Sequence, residues 1–62
     1  MSIDLHIKRI KVKNQAILDT FKIINTKDNW EDGEWIGREP IDCLLSFMST
    51  ETKAIQKELD QL

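Results

Sequence analysis

Apolar residues recur along the chain at two competing spacings. In residues 3–13, Ile3, Leu5 and Ile7 alternate with polar positions, and Ile10 and Val12 rejoin that face if a β-bulge adds one residue near Lys8-Arg9. The same segment also fits a helix. Ile3, Ile7 and Ile10 then open a 4-3 stripe that runs on through Asn14, Ile17, Phe21 and Ile24, with the polar Asn14 inside a heptad seam, a device that specifies dimers. The helix leaves Leu5 and Val12 facing water. The strand buries all five apolar residues and suits their β-branched side chains, so the segment is read as a strand.

Beyond it the period is helical. Asn14 fits a helix N-cap, and Ile17, Leu18, Phe21 and Ile24 form one stripe, which predicts a short helix over 14–25. Asp32-Gly33 is a turn dipeptide flanked by Trp30 and Trp35, which predicts a short hairpin or compact loop with paired or core-packed indoles. Pro40 suits the first residue of a helix and Asp42 its first turn. Ile41, Leu45, Met48, Thr52, Ile55, Leu59 and Leu62 then repeat at 4-3 spacing, the clearest signal in the chain, and predict a long amphipathic helix over most of 40–61. Ser49-Thr50-Glu51-Thr52 is a candidate break within it.

These elements give a single small domain spanning residues 1–62, of class α+β: an N-terminal strand, a short helix, a Trp-flanked hairpin or loop, and a long C-terminal amphipathic helix. The rival is an all-α helical hairpin, roughly 3–25 and 40–61, whose two stripes pair within the chain and then across a dimer as a four-helix bundle.

Size sharpens the question of self-association. Folding removes roughly 6,400 Å² from water, about 3,900 Å² of it apolar. At ~25 cal/mol per Å² this stabilises by about 97 kcal/mol, against about 93 kcal/mol to order the chain. The balance is near zero, so a second copy or another partner is expected to help, and Leu45, Met48, Ile55, Leu59 and Leu62 are the candidate self-association residues of a homodimer.

Charge adds polarity that the net value of −2 conceals. Residues 1–27 carry Lys8, Arg9, Lys11, Lys13, Lys22 and Lys27 against Asp4 and Asp19, whereas 28–62 are strongly acidic. In the loop, Asp28, Glu31, Asp32 and Glu34 interleave with two tryptophans. Trp is enriched among residues that carry interface energy, and surrounding carboxylates steer a basic partner. Trp30, Glu31, Asp32, Glu34 and Trp35 are therefore the candidate protein-binding residues of a non-enzymatic module. Such a module would regulate or inhibit a larger machine, one that handles nucleic acid among the options, by docking on its basic surface. Small acidic binders among phage proteins offer an analogy. The alternative is a nucleic-acid-binding regulator using Lys8, Arg9, Lys11 and Lys13. No aromatic residue accompanies that run to stack on a base, so it is the second choice.

Candidate chemistry is sparse. Asp28, Asp32, Gly33 and Glu39 match the first, fifth, sixth and twelfth positions of a calcium loop, but Trp30 occupies the third, so a calcium-binding helix-loop-helix ranks last and no metal site is assigned. His6 has no nucleophile motif near it and reads as a surface strand residue; Cys43, beside Leu44 and Leu45, reads as a core or near-core side chain. No catalytic residue and no cofactor is expected. One cysteine excludes an internal disulfide, no apolar run reaches the ~18 residues of a membrane span, and Met1-Ser2-Ile3-Asp4 lacks a signal-peptide pattern. A cytoplasmic location is the expectation.

Overall fold

Ile3–Ile24 form one unbroken helix, α1, where the spacing of Ile3, Leu5 and Ile7 had favoured a strand. The computed structural model describes residues 2–62. Ser2 caps α1: its hydroxyl accepts the Leu5 N–H at 3.3 Å, and Asp4 sits in the first turn, where the helix dipole favours an anion. Asn14, expected as a cap, lies inside this helix, so the predicted short helix is its C-terminal half. The strand preference of Ile and Val rests on packing against neighbouring strands. Among the described residues no long strand is offered to them, and the helix wins.

The C-terminus of α1 is closed by side chains. A helix leaves its last four carbonyls without partners. Here Asn25 Nδ2 donates to Phe21 O at 2.8 Å, Thr26 Oγ1 to Lys22 O at 2.7 Å, Asn29 Nδ2 to Ile23 O at 2.9 Å and Trp30 Nε1 to Ile24 O at 2.5 Å. All four carbonyls are satisfied by four side chains of the segment that follows.

A 3-10 turn at Lys27–Asn29 leads into a minimal antiparallel hairpin, β1 (Trp30–Glu31) and β2 (Glu34–Trp35), with Trp30 opposite Trp35 and Glu31 opposite Glu34. The two turn residues, Asp32 and Gly33, have φ of 50° and 79°. Positive φ at both central positions marks the turn whose twist matches a hairpin, which is why Asp-Gly stands there. The Ile36 N–H donates to Asn29 O at 2.8 Å and extends the ladder by one pair.

The second helix, α2, spans Ile41–Asp60. Pro40 caps it rather than opening it, one residue from its expected place, and its carbonyl accepts the Cys43 and Leu44 N–H groups at 3.0 and 3.2 Å. No break occurs at 49–52. The Thr52 hydroxyl instead donates back to Met48 O at 2.8 Å within the continuous helix, a bond that helices tolerate at a small cost.

The result is two antiparallel helices joined by a small two-stranded hairpin, mostly helical and elongated, 48 × 15 × 14 Å. Its packing is unusual. No hydrophobic residue among those described is buried; the two buried residues are His6 and Thr20, 5% and 7% exposed. The surface of 5012 Å² exceeds by about 800 Å² the roughly 4,200 Å² expected of a folded chain of this mass.

Candidate functional site

The hairpin end collects all five candidate binding residues. Side chains alternate across a strand, so Trp30 and Trp35 share one face and Glu31 and Glu34 the other. The two indoles meet edge to face, with centroids 5.3 Å apart and planes at 75°, a favourable arrangement of ring quadrupoles. Each is anchored by its N–H. Trp30 donates to Ile24 O at the end of α1, and Trp35 to Glu39 O just before α2, both at 2.5 Å. The pair thus clasps the end of one helix to the approach to the next. Trp30 keeps an exposed edge and Trp35 is half-buried. Sequence reasoning left open whether these rings point inward or outward; they do both, holding the loop while presenting one side.

The opposite face is acidic and exposed. Glu31 and Glu34 stand directly across the ladder, with Asp32 in the turn between them. Like charges directly opposite on adjacent strands destabilise the pair, and among the described residues no ion pair involves Glu31, Asp32 or Glu34.

The basic residues are not gathered. At ~100° per residue, Lys8, Arg9, Lys11 and Lys13 spread over more than half of the circumference of α1. Lys13 is half-buried toward α2, and Arg9 Nη1 lies 3.7 Å from Glu58 Oε1. Of the self-association residues, Met48 and Ile55 are half-buried along the seam, Leu45 and Leu59 are exposed on α2, and Leu62 is exposed beyond its end.

Sequence reasoning missed His6. It lies in α1, buried, with Nδ1 2.5 Å from Glu58 Oε2 across the hairpin. The hydrogen bond from His6 is the main cause holding the Glu58 carboxyl below its ordinary value; partial burial opposes it, and Arg9, His6 and Lys13 add electrostatic attraction. An ionised carboxylate only accepts, so the proton of this bond resides on His6 Nδ1. The reading of His6 as a surface strand residue fails because the segment is helical and turns it toward α2. Cys43 is corrected in the opposite sense: it is exposed, not core. The signal for His6 was its place in a second 4-3 series, His6, Ile10, Lys13, Ile17, Thr20 and Ile24, whose polar members disguised it.

Among the described residues no three His, Cys, Asp or Glu side chains gather to hold a metal ion, and Asp28, Asp32 and Glu39 are separated by the hairpin ladder rather than wrapped into a loop. No helix there is long and apolar enough to cross a membrane. No protein-family model, curated protein or solved structure matches this chain.

Proposed function

We propose that the chain is a non-enzymatic protein-binding module that docks its acidic tryptophan hairpin on a basic surface of a larger protein and thereby regulates it. The observation that carries this reading is the Glu31–Glu34 pair, two exposed carboxylates facing each other across a ladder of two residue pairs. The arrangement opposes folding, and a cationic partner relieves it. The anchored indoles supply the rigidity that such docking requires, because side chains already ordered lose little entropy on binding. The exposed edge of Trp30 adds apolar contact beside the charge.

The reading separates binding from stability. Replacing both carboxylates (Glu31→Gln with Glu34→Gln) is expected to stabilise the isolated protein slightly, by up to about 1 kcal/mol, while weakening partner capture. The test is affinity capture from host extract with the wild type and the double variant at two salt concentrations. A basic protein retained by the wild type, released by salt and lost with the variant supports docking. Retention that the variant and salt leave unchanged rejects it, as does the absence of any retained protein.

A further inference from the structure

The hairpin turns its largest apolar side chains away from its own interior. The residues of α1 that approach α2 are the series His6, Ile10, Lys13, Ile17, Thr20 and Ile24, half-buried or buried. Ile3, Ile7, Leu18 and Phe21 are exposed and at ~100° per residue centre roughly 90° further round the helix in the sense of chain advance, whereas Leu5, Val12 and Ile23, also exposed, lie on the opposite flank. The second helix repeats the offset. Leu44, Met48, Glu51, Ile55 and Glu58 approach α1, while exposed Leu45 and Leu59 lie roughly 90° further round and exposed Phe47 lies on the other flank. The helices are antiparallel, so the same rotation along each chain brings both exposed sets to one common side.

The larger set and the full 4-3 stripes share that offset. In an isolated pair of helices each apolar seam points at its partner. In a four-helix bundle each seam points at the central axis, about 45° from the direction of its neighbour. The full 4-3 stripes (Ile3 to Ile24 on α1 and Ile41 to Leu59 on α2) lie between the inner face and the exposed side, as a bundle requires. The inner face is correspondingly polar, with His6 on Glu58 and the half-buried Lys13 and Glu51 at one level of the hairpin.

We propose that this side is the interface with a second copy of the chain, two hairpins pairing face to face as a four-helix bundle. The surface in excess of a folded chain of this mass, about 800 Å², equals what each partner contributes to a stable interface of standard size, also about 800 Å². The face also complements itself in charge. Within about 80° of its centre at ~100° per residue, its α1 half is bordered by Lys11 and Lys22 against Asp4, and its α2 half by Asp42 and Asp60. A two-fold axis that lays α1 over α2 of the other copy brings opposite signs together. This proposal is independent of the hairpin's docking role, which uses the end of the rod rather than its side.

Sedimentation equilibrium tests it. The wild type is expected at twice 7.3 kDa. Leu45→Lys is expected to weaken dimerisation by about 100-fold or more, as a charge placed at an interface centre does. Val12→Lys, exposed on the other flank of α1, is expected to leave the dimer intact. Should Leu45→Lys fail to fold, the wild type alone decides, because its melting midpoint must rise between about 5 and about 500 µM if two chains fold together. A pure monomer with a concentration-independent midpoint overturns the proposal. A dimer dissolved by Val12→Lys but not by Leu45→Lys also overturns it, and so does an assembly larger than two.

Discussion

Replacing Gly37 with alanine is expected to lower the melting midpoint by about 4–24 °C at fixed protein concentration. A Cβ at Gly37 would overlap the Trp35 indole, with its ring carbons as the three nearest atoms. The obstacle is a rigid bicycle, not the end of a flexible chain. The indole cannot withdraw freely: its edge is set against Trp30 and its N–H is bound to Glu39 O. Relief therefore requires breaking the ring pair, losing the anchor before α2, or shifting the backbone of residues 35–39. Overpacking of this kind costs about 1–3 kcal/mol, and in a domain this small each kcal/mol moves the midpoint by about 4–8 °C. The near-ultraviolet circular dichroism of the coupled indoles should weaken in step. A double-mutant cycle isolates the cause: in a Trp35→Ala background the same substitution should cost little, because the atoms it strikes are gone. Equal losses in both backgrounds would mean that the backbone at Gly37, not the ring, sets the requirement.

The turn and the long helix were legible in the sequence because their signals are local. Asp32-Gly33 provides the two positive φ values of a two-residue hairpin, and that turn alone sets Trp30 against Trp35 and Glu31 against Glu34. The candidate site thus follows from six consecutive residues. The α2 stripe spans its whole length without a competing period. The strand expectation for residues 3–13 fails because it requires every apolar side chain to be buried within one chain. Val12 is 70% exposed and Ile3 64%, so the structure does not meet that demand. It aligns Ile3, Ile7, Phe21, Leu45 and Leu59 on one side instead. A strand needs a neighbour of its own length, and among the described residues the strands are two residues long. The His6–Glu58 contact joins residues 52 apart. It became visible only once the first segment was helical and the two helices were set in register.

That contact carries the other large expectation, a selective loss of stability in acid. The hairpin is fastened at one end by the tryptophans and at the other by Glu58, which receives the His6 hydrogen bond and lies beside Arg9. These partners favour the ionised carboxylate and hold its pKa in the folded state below the ordinary 4.5. A folded value below the unfolded one means that the unfolded chain takes up the proton first. The contribution is complete above about 4.5 and is lost as pH falls through the lower folded value. Thermal melts between neutral pH and about pH 3 should therefore show the wild type losing stability more steeply below 4.5 than Glu58→Gln, which has no proton to bind there. At neutral pH the order of midpoints should be wild type, then Glu58→Gln, then Glu58→Ala. The amide still accepts from His6 Nδ1, whereas alanine leaves a buried imidazole N–H with no acceptor. Parallel acid slopes for wild type and Glu58→Gln would show that the carboxylate is as well placed in the unfolded chain. The end remote from the tryptophans would then have no acid-sensitive fastening.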